Sequence, residues 1–100
     1  ANKYAIKIPM ETAEKCFRVM KLSEKLVENG NPNSVSDAGV AAEVALAGVR
    51  GAGMNVMINL SGLEDSSYVE DTQNKVNDLI NKAEVLHKTI FNKTLSIIKS

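Results

Sequence analysis

The chain is poor in the residues that build cross-linked or metal-bound small proteins. Its one cysteine cannot form an internal disulfide, and its one histidine provides no set of imidazole ligands for zinc. Twelve Lys and Arg balance twelve Asp and Glu, so the formal net charge is zero. Nucleic acids and anionic membranes attract basic surfaces, and we therefore expect neither of them as a partner. We also expect no metal.

Long hydrophobic runs are missing as well. No 18 consecutive residues are apolar, so the sequence predicts no transmembrane helix. The first residues show neither the apolar run nor the cleavage site of a signal peptide, and we expect a cytoplasmic protein. With 100 residues, 44% of them hydrophobic, the chain is one small globular domain or part of one.

Apolar residues recur every three or four positions in three segments, which predicts an all-α fold. The first predicted helix covers about residues 9–29, with Pro9 in its first turn and Gly30 directly after its end. The second covers about 35–60 and the third about 66–98. Helices of this length joined by short loops indicate a bundle of long antiparallel helices.

Two helix starts carry capping signals. Ser34 with Asp37 three residues later is a variant of the capping box, and Ser36 is itself a competent N-cap. Ser67 with Glu70 has the same spacing at the start of the third helix. A carboxylate in the first turn, such as Asp37, also suits the positive end of the helix dipole.

The middle helix is unusually rich in small residues. Ten of the sixteen residues between Ala38 and Gly53 are Ala or Gly. Because Gly costs about 1 kcal/mol relative to Ala inside a helix, close packing must compensate. Three helices of this length carry more apolar surface than they can cover for one another. We therefore expect a fragment of a larger bundle, completed by a missing part of the chain or by a partner subunit.

Few side chains are candidates for chemistry. Cys16 and His87 lie on apolar helix faces, and we interpret both as packing residues. Polar side chains concentrate before the middle helix, and two further asparagines four residues apart share one face near its end. These residues either cap the helix and join it to its neighbours or line a ligand site. They are Asn31, Asn33, Ser34, Ser36, Asp37, Asn55 and Asn59.

The order of these residues resembles a known family. The string GNPNSVSDAGVA at residues 30–41, followed by NVMINL at 55–60, is similar to the formimidoyltetrahydrofolate cyclodeaminase family. That family includes the cyclodeaminase domain of the bifunctional formimidoyltransferase-cyclodeaminases and the methenyltetrahydrofolate cyclohydrolases. The resemblance extends from about residue 8 to about residue 86. It implies that residues 1–100 are the carboxyl-terminal half of the domain and that an amino-terminal half with a Gly-rich segment is missing.

The resemblance also implies a function. Members are α-helical, cytoplasmic, dimeric folate enzymes of one-carbon metabolism and histidine degradation. The implied reaction is the cyclisation of 5-formimidoyltetrahydrofolate to 5,10-methenyltetrahydrofolate with release of ammonia, a lyase reaction. Tetrahydrofolate enters as substrate, and no other cofactor is implied. Asp37 is the implied proton-transfer residue, and the two serines and four asparagines of the same strings would bind the substrate.

Two alternatives stay open. The same site would act as a methenyltetrahydrofolate cyclohydrolase if it directed water onto the methenyl carbon. The chain could instead be a non-catalytic helical dimerisation module, which would bind no folate and tolerate Asp37→Asn. A four-helix metal protein is disfavoured, because such sites take a Glu-x-x-His motif from each of two helices and the sequence holds one, at Glu84 and His87.

Overall fold

A computed structural model describes residues 3–100 as three helices. They are α1 (Lys3–Glu28), α2 (Val35–Leu60) and α3 (Ser66–Lys99), and no strand occurs in this part of the chain. Short loops turn each helix back on the one before, giving an elongated bundle of 54 × 18 × 15 Å. The predicted all-α bundle is thereby confirmed, and the bounds of α2 and α3 agree with the predicted ones to within a residue.

The middle helix α2 supplies apolar side chains along the whole length of the core. Its central residues Leu46 and Val49 pack with Met20 of α1 and Ala83 of α3. Two further clusters fill the ends of the bundle, and α2 contributes to both. One consists of Val27, Val35, Ala38, Ala42 and Ile90, and the other of Ile6, Val56, Leu60 and Val76.

Helix α1 begins well before the predicted start at Pro9. The chain is already helical at Lys3, so Pro9 lies inside the helix and not in its first turn. Proline has no N–H to donate, which disfavours this position. The burial of Ile6, only 2% exposed against Val56 and its neighbours, offsets that cost. Tertiary packing therefore overrides the local signal of the proline.

The start of α3 also differs from the prediction. The helix begins at Ser66, and Asp65 is its N-cap, with a side-chain oxygen that accepts the backbone N–H of Tyr68 at 3.1 Å. The predicted capping box of Ser67 and Glu70 was therefore wrong, because both residues lie inside the helix. Aspartate is as good an N-cap as serine, so the sequence offered two competing signals in neighbouring positions.

The same carboxylate ties the beginning of α3 to the beginning of α1. Lys3 Nζ lies 2.9 Å from Asp65 Oδ2 and 4.6 Å from the centre of the Tyr68 ring. The hydrogen bond from Lys3, followed by that from the Tyr68 N–H, lowers the pKa of the Asp65 carboxyl below its ordinary value. The reciprocal hydrogen bond to Asp65 raises the pKa of Lys3. Both shifts favour the charged pair.

We predict that the Asp65 charge contributes stability at neutral pH and none in acid. Because its pKa is lowered on folding, this contribution is present above the ordinary carboxyl pKa and is lost as the pH falls through the folded value. Asp65→Asn keeps a capping side chain and removes the charge, whereas Asp65→Ala removes both. Urea unfolding at pH 7 should rank wild type above Asn and Asn above Ala. At acid pH the wild type and Asp65→Asn should coincide, and a constant gap between them would contradict the assignment.

Candidate functional site

The turn between α1 and α2 is organised by Asn31. Gly30, with φ of 69°, adopts the left-handed conformation that ends α1. The side-chain oxygen of Asn31 accepts the backbone N–H of Asn33 at 3.0 Å. Its carbonyl oxygen accepts the N–H groups of Ser34 (3.1 Å) and Val35 (3.0 Å). Five of the seven predicted site residues are thereby gathered at one end of the bundle.

The two serines do not cap α2 as predicted. Ser34 occupies the N-cap position, but its φ of −123° and ψ of −5° lie outside the extended region, and its side chain accepts no cap hydrogen bond. A capping hydroxyl needs extended backbone at this position to reach back to the helix N–H groups. The capping box of Ser34 and Asp37 is therefore not formed, and Ser36 lies inside the first turn.

Asp37 lies in the first turn of α2 and is exposed. The positive end of the helix favours a carboxylate there. Within residues 3–100 the structure gives this side chain no hydrogen bond and no ion pair. Asp37 is thus open to an incoming group.

The other two predicted residues lie near the opposite end of α2. Asn59 donates its side-chain N–H to the carbonyl oxygen of Asn55 at 2.8 Å. Both line a groove of about 450 Å³ between α1 and α2. Pro9 and Thr12 form its α1 wall, and Gly51 forms part of its floor. The two asparagines therefore share one face, as their spacing predicts.

One chain does not bring the two groups of site residues together. Asp37 and Asn55 are eighteen residues apart on one helix, which is about 27 Å at 1.5 Å per residue. Asn59 is about 6 Å farther along the same axis. The resemblance implies that Asn55 and Asn59 bind the same substrate as Asp37, but a single copy does not bring them together, because most of α2 lies between them.

Two polar side-chain pairs between α2 and α3 were not anticipated from the sequence. Glu43 Oε1 lies 2.6 Å from His87 Nε2, and the His87 ring stacks on Phe91 at 5.9 Å. Arg50 donates two hydrogen bonds to one carboxylate oxygen of Glu84, at 2.6 and 3.1 Å. Cys16 is half-buried against the central core cluster. His87 and Cys16 are thus packing residues, as predicted.

A larger groove of about 650 Å³ runs between α1 and α3. Its apolar floor includes Phe17 and Leu86, and its rim carries Lys21, Lys25 and Lys82 beside Glu24. Such a surface suits an apolar molecule with an anionic end. The i, i+4 spacing of Lys21 and Lys25 places both on one helix face, which the sequence alone could indicate. Lys82 joins them at the groove only through the fold, because it lies on another helix.

Neither a metal cluster nor a membrane span occurs in the part of the chain that the structure describes. Over residues 3–100, no three His, Cys, Asp or Glu side chains are grouped so that they could hold a metal ion. None of the helices in this range combines the length and the hydropathy that a membrane span requires.

Comparison with known proteins places these features in a family. A family model described as formiminotransferase-cyclodeaminase matches residues 1–78. The chain belongs to that family. It is 37% identical over 91 residues to a methenyltetrahydrofolate cyclohydrolase of Methylorubrum extorquens, a match that covers 91% of this chain and 44% of that protein.

Bifunctional members are also similar to this chain. A formimidoyltransferase-cyclodeaminase of Rattus norvegicus is 32% identical over 80 residues, covering 80% of this chain and 15% of the relative. One from Dictyostelium discoideum is 34% identical over 91 residues, covering 84% of this chain and 16% of the relative. The chain therefore spans less than half the length of these relatives. The resemblance identified from the two sequence strings is confirmed.

The small residues of α2 allow close contact with α1, and this contact leads to a prediction about stability. A Cβ added at Gly48 would lie 2.5 Å from Cys16 Sγ. Overpacking costs about 1–3 kcal/mol, whereas Ala gains about 1 kcal/mol over Gly in a helix. We expect Gly48→Ala to destabilise the wild-type chain, and to be about 1 kcal/mol or more less destabilising in a Cys16→Ala background, where the contact to Cβ at 3.3 Å remains. Urea denaturation of the four chains measures both effects, and an equal effect in both backgrounds would contradict the close contact to Sγ.

Proposed function

We propose that this chain contributes to a folate-dependent one-carbon enzyme that converts 5-formimidoyltetrahydrofolate to 5,10-methenyltetrahydrofolate and ammonia. The observation that carries the proposal is the family match over residues 1–78, which contains every predicted site residue. The proposal retains two further expectations, a homodimer and a cytoplasmic location. The folate is the only small-molecule partner it requires.

The reaction needs proton transfer more than covalent catalysis. The N10 nitrogen of the folate forms a bond to the carbon of the formimidoyl group on N5, whose imino nitrogen is protonated, and N10 gives up its own proton. The amino nitrogen on that carbon receives a proton and departs as ammonia, which leaves the positive charge on the methenyl bridge. A single carboxylate placed between the two nitrogens can accept the first proton and deliver the second.

Asp37 is the residue we propose for this role. It is exposed in the first turn of α2, and the hydroxyl groups of Ser34 and Ser36 are not engaged in capping that helix. These hydroxyls and the side chains of Asn31 and Asn33 provide donors and acceptors for the edge of the pterin ring. Asn55 and Asn59 reach the same substrate only from a second polypeptide segment.

A second candidate is favoured by one observation. The relative from Methylorubrum extorquens, matched over 91% of this chain, is named a methenyltetrahydrofolate cyclohydrolase. In that reaction, water adds to the methenyl carbon and the bond to one ring nitrogen breaks. Both reactions use the same carbon between N5 and N10. They differ in whether ammonia leaves or water enters.

The two candidates are separated by following substrate and ammonia together. The intact domain, with this chain and the remainder present in its relatives, is mixed with 5-formimidoyl- or 5,10-methenyltetrahydrofolate. Absorbance of the methenyl product and an ammonia assay are recorded in parallel. Ammonia release supports the cyclodeaminase, and loss of methenyl absorbance without ammonia supports the cyclohydrolase. Failure to bind or convert either folate leaves the non-catalytic dimerisation module as the function.

We predict that Asp37→Asn in the intact domain lowers the rate by about 100-fold or more, the usual contribution of a positioned acid or base. Asp71→Asn provides a matched control, because Asp71 is an exposed carboxylate on α3 outside the proposed site. Its rate should equal that of the wild type. An Asp37→Asn enzyme that keeps its rate would exclude this residue as the proton carrier.

We also predict that the isolated 100-residue chain has no turnover. Within one copy, Asp37 is open to solvent and lies about 27 Å from Asn55, so the proposed proton carrier and this substrate-binding residue are not together. The measurement is the same absorbance assay, with the intact domain as the positive control. Measurable conversion by the purified chain would show that the remaining half is dispensable.

A further inference from the structure

The larger groove between α1 and α3 is separate from the candidate site on α2. None of the seven predicted site residues lines it, and its α3 wall lies beyond residue 78, where the family match ends. The walls run from Phe17 to Lys25 on α1 and from Asn81 to Thr89 on α3, about 12 Å at 1.5 Å per residue. A volume of about 650 Å³ is in the range of small-molecule sites.

The floor of this groove is apolar and partly open to water. Phe17 and Leu86 are half-buried, whereas Val85 between them is 70% exposed. Because water in contact with apolar surface is unfavourable, a ligand with an apolar body gains free energy by covering Val85. An apolar body is therefore the first property of a ligand that fits.

Three lysines on the rim supply positive charge, Lys21 and Lys25 from α1 and Lys82 from α3. Among residues 3–100, neither lysine of α1 forms an ion pair, and Lys21 Nζ lies 5.0 Å from the centre of the Phe17 ring. Lys82 pairs with Asp78 at 3.0 Å, but these side chains are 63% and 64% exposed, and such pairs are weak. The three ammonium groups are therefore available to an anion.

Two of these lysines face each other across the groove. The core clusters join Met20 with Ala83 and Val27 with Ile90, so the parallel helices α1 and α3 keep a constant offset between these levels. On that offset Lys21 and Lys82 differ in level by about two residues, or about 3 Å. An acidic group between them would contact both walls of the groove at once.

One carboxylate opposes the lysines. Glu24 is half-buried in the same groove and lies between Lys21 and Lys25 in the sequence of α1. Positive charge is still in excess there, although the chain as a whole is neutral. Because Glu24 repels an anion that the lysines attract, its removal and theirs should change anion affinity in opposite directions.

The apolar floor and the cationic rim together require an amphiphilic anion. Inorganic phosphate or sulfate would leave the floor uncovered. An acidic side chain of a partner protein has too short an apolar part to extend from Lys82 to Thr89, about 10 Å along the helix. A straight-chain carboxylate of about ten carbons has both an acidic end and an apolar chain of this length.

We propose that the groove between α1 and α3 binds a free medium-chain carboxylate. Its acidic group lies between Lys21 and Lys82, and its hydrocarbon chain covers Val85 and Leu86 in the direction of Thr89. This ligand is distinct from the folate, and the proposal does not depend on the function proposed above.

Nuclear magnetic resonance of the intact domain tests the location, with decanoate as the probe below its micelle concentration. Decanoate should shift the methyl signals of Val85 and Leu86 in a saturable way. The signals of Ile98, which is 55% exposed on α3 outside the groove, should stay unchanged. Octanoate should bind about fourfold more weakly, because two methylene groups half covered by an open groove are lost. No saturable shift, or shifts that leave Val85 unaffected, would overturn the proposal.

Charge substitutions test the rim. Lys21→Gln combined with Lys82→Gln should weaken decanoate binding about tenfold, since two contacts to the carboxylate are lost. Lys88→Gln is the matched control, because Lys88 is an exposed lysine of α3 outside the groove, and its affinity should equal that of the wild type. Glu24→Gln should strengthen binding about twofold or more. Unchanged affinity in the double variant, or weaker binding in Glu24→Gln, would reject the proposed rim.

Decanol separates a loss of charge from damage to the groove, because it has the same chain without the carboxylate. The wild type and the double lysine variant should bind decanol equally. Loss of decanol binding in the double variant would show that the lysines act through structure, and the rim would again be rejected.

Folic acid separates this groove from the proposed folate site. Added as a competitor, it should leave the decanoate shifts at Val85 unchanged. Displacement of decanoate would assign the groove to the folate and overturn a separate ligand. A domain that binds decanoate at Val85 but converts no folate would support the groove and reject the proposed function.

Discussion

The structure depends on a middle helix that is apolar on opposite faces. On one face α2 packs between α1 and α3, where Gly39, Gly48 and Gly53 let the neighbouring side chains approach closely. On the other face its large side chains are left to solvent. Burial of apolar surface is the main favourable term in folding and association. A helix with this composition therefore forms a bundle with α1 and α3. Its second apolar face is left for another polypeptide segment to cover.

The exposed apolar face and the candidate site residues lie on the same helix. The same helix carries Asp37 at its beginning and Asn59 near its end, so its rigidity keeps these residues apart. A site that includes both must be assembled from two polypeptide segments. The chain belongs to the formiminotransferase-cyclodeaminase family and spans less than half the length of the relatives it matches.

Much of the fold could be predicted from local patterns. The apolar residues of α2 and α3 recur every three or four positions, and residues 30–34 consist of Gly, Asn, Pro and Ser, which are typical of a loop. The failures have a common cause. Pro9, Ser34 and Ser67 are strong local signals, but Ile6 burial, the Asn31 turn and the Asp65 cap determine the actual helix starts. The family was recognisable from the order of the candidate site residues. The length of α2 that separates Asp37 from Asn55 was not, since a motif carries no distances. The pairs Glu43–His87 and Arg50–Glu84 depend on interhelical register, which sequence spacing does not encode.

The central claim is that the outward apolar face of α2, with Val40, Val44, Met54 and Ile58, is covered by further polypeptide in the intact domain. A soluble paramagnetic probe measures this most directly, because it broadens the methyl signals of side chains that solvent reaches. The account predicts protection of these four side chains in the intact domain and strong broadening of the exposed Val85 on α3. Equal broadening of all five would contradict it.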